Sequence, residues 1–224
     1  MIKGDNTVHK FQSVLKTRRE KGFTLVEMAI VLVIIGLILS ALSVGKDLQR
    51  NANYKQIINK FVGQWAQAYN QYYERTGLVL ADNETTPTGK VGGRTGTNGS
   101  EWSGATLSGE MNSWGIKVPL GDGGAPDGVG RTRLTYHDTA GRPHTLLVSF
   151  IYQNLRAANS GGNLVGNLMK IQDVAPQLAS TMDSLIDGEI GYSAGNFRTE
   201  ADFARTQEEN DNEVGVTAWW KMTQ

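Results

Sequence analysis

Twenty-two consecutive positions, 23–44, hold a single charged side chain, Glu27, among apolar and small residues. At about 1.5 Å of rise per residue, a helix of that length crosses the roughly 30 Å hydrocarbon core of a bilayer. An isolated segment in lipid has to be a helix, because it must satisfy its own backbone. Past Gly45 the pattern turns amphipathic. Ile58, Phe61, Val62, Trp65, Tyr69 and Tyr72 recur at steps of three and four and predict one buried stripe. Lys46, Asp47, Arg50, Lys55, Lys60 and Glu74 supply the solvated faces. No proline interrupts this run, and Gly77 is placed as a C-terminal stop. The pattern therefore predicts one continuous helix from Phe23 to about Thr76, roughly 80 Å long. Gly36 and Gly45 weaken its first half by about 1 kcal/mol each.

The rest of the chain reads differently. Thirteen glycines lie between Asp82 and Gly130, with Pro87, Pro119 and Pro126. That composition predicts an irregular region with short strands, the best placed near Gly115–Leu120. Arg131–Asp138 and Thr145–Gln153 predict a β-hairpin around the turn at 139–144. A Gly/Asn-rich link follows at Asn159–Asn167. Asp173–Ile186 predicts a helix, with Asp173 as cap and Pro176 in the first turn. Val214–Met222 alternates as a last strand that sends Trp219 and Trp220 to opposite faces. The fold class this implies is α+β: a long N-terminal helical spine, transmembrane in its first half, packed on a small antiparallel β-sheet. The divisions are a leader at 1–22, a membrane helix at 23–45, its amphipathic continuation at 46–77, and an exported globular domain at 78–224.

Charge orients this arrangement. The first 22 residues carry six basic and two acidic side chains, so the remaining 202 carry 16 and 20, or about −4. Lys16, Arg18, Arg19 and Lys21 against Glu20 put the N-terminus in the cytoplasm and the domain after Gly45 outside. An acidic exported domain argues against a nucleic-acid platform, and no nucleic-acid partner is expected. The absence of cysteine excludes disulfides and thiolate metal sites.

A carboxylate inside a membrane helix costs about 2.5–3.5 kcal/mol at mid-span and less near the interface, so Glu27 asks for a partner. No basic residue of the span supplies one. A cut after Gly22 would give Phe23 a new α-ammonium, which a neighbouring copy could present to Glu27.

Lys21-Gly22-Phe23-Thr24-Leu25-Val26-Glu27 abutting such a span resembles the class III signal of type IV pilins and pilin-like proteins. The resemblance implies that a prepilin peptidase removes the leader at Gly22–Phe23. It implies N-methylation of Phe23 and a role for Glu27 in placing subunits. It further implies an inner-membrane assembly platform, and partners that are copies of the chain or other pilins. The protein would begin in the bacterial inner membrane and end in a surface pilus or a periplasmic pseudopilus. The leading expectation is a structural subunit, a pilin or minor pilin. The alternatives are a pseudopilin of a type II secretion system and a tip-located adhesin or binding subunit. An ordinary signal peptide cut after Ser43 is disfavoured, because its apolar region runs about 7–15 residues and has no use for a glutamate. No nucleophile elbow, metal box or cofactor fingerprint points to an enzyme.

Three further groups carry candidate chemistry. Trp65, Tyr69, Tyr72 and Tyr73 are read as helix–sheet core rather than as a stacking platform. His137 and His144 flank the hairpin turn but lack a third metal ligand nearby. Asp183, Asp187 and Glu189 are candidate oxygen ligands for one Ca²⁺, as the resemblance to calcium-using pseudopilins also suggests; a plain acidic helix end is the competing reading. Thr88-Gly89-Lys90-Val91 is too incomplete for a phosphate loop.

Overall fold

The computed structural model describes residues 22–95, 99–123, 129–156, 163–188, 191, 194–200 and 215–223. The backbone falls into two units, Met1–Lys46 and Asp47–Gln224, and each is described by itself.

The described part of the first unit is helical. Helix α1 (Leu25–Ile57) begins there and has its last turns in the second unit. Within α1, Leu25–Leu42 is long and apolar enough to cross a membrane, and none of it is buried.

In the second unit the expected unbroken α-helix is corrected. α1 gives way to one π-helical turn, Ile58–Val62, before α2 (Gly63–Thr76). The turn closes with the Gly63 N–H donating to the Ile58 carbonyl. A Cβ at Gly63 would stand 3.1 Å from that carbonyl, so glycine permits the wide turn at little cost. Ile58, Phe61, Val62 and Trp65 are all buried. α2 stops at Gly77, whose φ of 71° and N–H bond to the Tyr73 carbonyl form a left-handed C-terminal cap.

The buried stripe packs on a six-stranded antiparallel sheet. Its strands are β1 (Trp102–Ser103), β2 (Arg133–His137), β3 (Pro143–Arg156), β4 (Asn163–Val174), β5 (Phe197–Thr199) and β6 (Val216–Lys221). The order is β1-β3-β4-β6-β5, with β2 pairing β3 beyond β1. Phe150 of β3 stacks on Tyr69 at 5.1 Å and meets Trp65 edge-on at 6.4 Å. Such pairs add about 0.5–1.5 kcal/mol each to what burial supplies. Trp65, Tyr69 and Tyr72 are thus core, while Tyr73 is exposed.

Three other sequence expectations change. No strand forms at Gly115–Leu120; the order nearby comes from α3 (Gly104–Ser113), which buries Leu107 and Met111 one turn apart. Tertiary burial outweighs the glycines there. The Gly/Asn-rich link is shorter than expected, because β4 starts at Asn163 and pairs with β3 from Arg156↔Asn163 to Leu147↔Gln172. The helix expected at Asp173–Ile186 is α4 (Pro176–Ile186), with Ala175 at its cap position. Asp173 instead has a φ of 57° and turns its carboxylate to the hairpin.

Loop 78–95 lies against β4. Asn167 accepts the Val91 N–H and donates to the Gly89 carbonyl. Inside the loop, the buried Asp82 carboxylate takes N–H bonds from Asn83, Thr88 and Gly89 and the Thr88 hydroxyl. The backbone cradle faintly read as a phosphate loop holds the chain's own aspartate.

Candidate functional site

Gly22 and Phe23 precede the helix, and Phe23 is exposed. Thr24 is the N-cap: its carbonyl accepts the Met28 N–H, the first α-helical bond. The Glu27 N–H donates to Thr24 Oγ1 at 3.2 Å, and the Thr24 N–H donates to Glu27 Oε2 at 2.8 Å. This is a capping box, in which two donors that a helix start leaves unpaired are satisfied reciprocally. The positive end of the helix dipole favours a carboxylate in this first turn.

No basic residue of the span pairs with Glu27, but its carboxylate is not without a partner. Its own first turn supplies a donor and a favourable field. Oε1 has no hydrogen bond among the described residues. The Thr-x-x-Glu spacing was legible in the sequence, and it makes Thr24 a member of the site. The basic leader at 1–21, including Lys21, lies outside the described residues.

The calcium candidates come together only in part. Asp183 on α4 is buried; Oδ2 accepts the Gly191 N–H at 2.5 Å, and Oδ1 has no hydrogen-bond donor. Asp187 stands one turn on, within hydrogen-bonding reach. Burial, with a further push from Asp187, raises the Asp183 carboxyl to about 6 against the pull of the Gly191 N–H. Asp187 accepts the Asn196 and Phe197 N–H groups at 3.1 and 2.8 Å. Glu189 lies outside the described residues. A hard cation wants six to eight oxygens, and two carboxylates fall short of that. A proton on Asp183 satisfies its orphan oxygen without further ligands.

The histidines do not form a metal pair. Buried His144 sits between two carboxylates, Nδ1 2.9 Å from Asp173 Oδ1 and Nε2 3.4 Å from Asp138 Oδ2, with its ring stacked on Tyr136. His137 is exposed. Among the described residues no three His, Asp or Glu side chains gather as metal ligands. The His144 cluster ties the hairpin to the end of β4; Arg142 donates to Asp138 at 2.7 Å, and the Ala175 N–H donates to the Tyr136 hydroxyl.

An exposed apolar helix headed by a carboxylate and a glycine–phenylalanine junction, on a chain with a small antiparallel sheet, marks a class: proteins with a prepilin-type N-terminus. The chain matches the model of the prokaryotic N-terminal methylation motif over residues 17–43, and together with the apolar helix and α+β fold this fits a type IV pilin or pseudopilin. No curated protein and no solved structure matches the chain. The motif implies processing by a prepilin peptidase and assembly with other pilins, points to a structural protein, and fits membrane anchoring.

Proposed function

We propose that this protein is a structural subunit, a pilin or minor pilin, of a type IV pilus-like filament. Prepilin peptidase cuts between Gly22 and Phe23, the new Phe23 amine is methylated, and the 23–45 segment passes from the inner membrane into the filament core. There its apolar surface stays away from water, so no hydrophobic burial is lost on extraction. The observation that carries the reading is the match at residues 17–43 at the head of a span-length helix whose first turn holds Glu27. One Glu27 oxygen is engaged by Thr24, and the other is open to the ammonium of a neighbouring Phe23. That pairing would set the axial register between subunits.

The glycine-rich surface of the domain beyond 77 favours an extracellular pilus over a compact pseudopilus of a secretion system. Mass spectrometry of the protein from its native host tests the reading. A mature chain starting at N-methyl-Phe23 supports it; an uncut chain, or one starting at Val44, overturns it. Calcium binding by Asp183, Asp187 and Glu189 attaches to this reading as a separate proposal. The orphan Asp183 oxygen speaks for it and the incomplete donor set against it, and chelation decides.

A further inference from the structure

One face of the second unit carries a groove of about 700 Å³ between the helix around Lys60, the segment Lys117–Gly121 and strand β2. Its apolar floor includes Phe61, Val118 and Tyr136, all buried, and the exposed Leu120. Its rim carries Lys60, Lys117 and His137, all exposed, and no acidic side chain lines it. Three cations elsewhere in the unit are paired: Arg94 with Glu84 and Glu110, Arg142 with Asp138, and Lys170 with Glu101. The side chains of Lys60 and Lys117 make no ion pair among the described residues.

The matching charge is in the same sequence. Residues 200–213 hold six acidic side chains (Glu200, Asp202, Glu208, Glu209, Asp211 and Glu213) against Arg205 alone. With this run removed, the 20 acidic and 16 basic residues after position 22 become 14 and 15. The acidic excess of the exported part is therefore confined to one stretch, while the groove is a cationic patch with an apolar base.

We propose that the Lys60–Lys117 groove of one copy receives the acidic run at 200–213 of a second copy, forming a lateral contact between exported domains. Aligned opposite charges raise the encounter rate and penalise wrong partners. Phe203, amid the acids, is the apolar side chain suited to the floor. The contact rests on the subunit reading only in that it needs neighbouring copies.

Because the chain has no cysteine, disulfide trapping is clean. Full-length Lys117→Cys and Glu208→Cys chains carrying different tags are co-expressed, and the disulfide heterodimer is compared with that formed by Glu74→Cys in place of Lys117→Cys. The expected result is about tenfold more product for the groove pair, corresponding to two modest ion pairs. Lys60→Glu should remove that excess, and adding Glu209→Lys on the other chain should restore it. About 1 M salt, where the screening length is roughly 3 Å, should abolish it. Equal trapping at Glu74→Cys, or trapping indifferent to charge reversal, overturns the proposal. So does loss of filaments on Lys60→Glu with no self-trapping, which would give the groove to another acidic partner. A Glu27→Val chain separates the two readings: retained trapping without filaments keeps this contact as a pairwise one, and filaments without trapping leave the subunit reading standing alone.

Discussion

The Asp183→Asn substitution probes the least comfortable group in the domain. Asp183 is 1% exposed, with one oxygen held by the Gly191 N–H and the other lacking a donor beside Asp187. Its carboxyl is raised from 3.8 to about 6, chiefly by burial. That difference of about two pH units is ~3 kcal/mol of preference for the neutral form. A raised acid lends the fold stability in full below its unfolded value, and that stability is lost as the pH rises through about 6. Asparagine keeps the shape, places an N–H where the proton sat, and carries no charge. At about pH 8 it should therefore stabilise the fold by up to ~3 kcal/mol. In a domain of this size each kcal/mol moves Tm by about 2–4 °C. Near pH 4 the variant and the parent should melt together. Thermal unfolding of the full chain in detergent, followed by near-ultraviolet circular dichroism across this range with and without EDTA, measures both. The opposite pattern would refute the reasoning: a parent that loses Tm on chelation and a variant less stable than the parent at pH 8. The orphan oxygen would then be held by a cation, and the calcium proposal would stand.

Glu27→Ala or Glu27→Val should leave cleavage intact and abolish assembly; normal filament yield by electron microscopy would count against the role given to this acid. Thr24→Ala removes half of the capping box and should destabilise the first helical turn by about 1 kcal/mol, read as roughly fivefold faster exchange of the Glu27 amide; an unchanged rate rejects the box. Asp82→Ala leaves the Thr88 and Gly89 donors unpaired and should cost about 1–3 kcal/mol, seen as a lower Tm and earlier proteolysis within 82–93. Asp138 accepts N–H bonds from Ala140 and Arg142 and pairs with His144, so despite its burial it is lowered to about 2. Its contribution is present above about 4 and disappears as the pH falls through 2; acid unfolding of Asp138→Asn should accordingly show a shallower loss over that window than the parent does.

The head of the chain was legible because its physics is local. A bilayer measures apolar length, a carboxylate in lipid needs a partner, and both are readable from 23–45 without knowing the rest. Thr-x-x-Glu is equally local, the partner of the carboxylate being the Thr24 backbone N–H rather than a cation. The stripe from Ile58 to Tyr72 and the stop at Gly77 were readable from periodicity and from glycine's access to positive φ. The π turn was not, since helical spacing averages over one extra residue.

Farther along, the deciding contacts cross long stretches of chain. α3 forms despite Gly104 and Gly109 because Leu107 and Met111 find the core. Asn163–Gln172 becomes a strand because β3 offers it ten partners in register. Asp173 looks like a helix cap in sequence, but the tertiary fold brings His144 and the Thr145 N–H to its carboxylate. The sequence by itself determined the apolar span-length helix and the glutamate at its head, because solvent and neighbouring residues suffice to decide them. The sheet order, the burial of Asp183 and the Lys60–Lys117 groove belong to the tertiary structure, because each depends on which distant segments burial forces together.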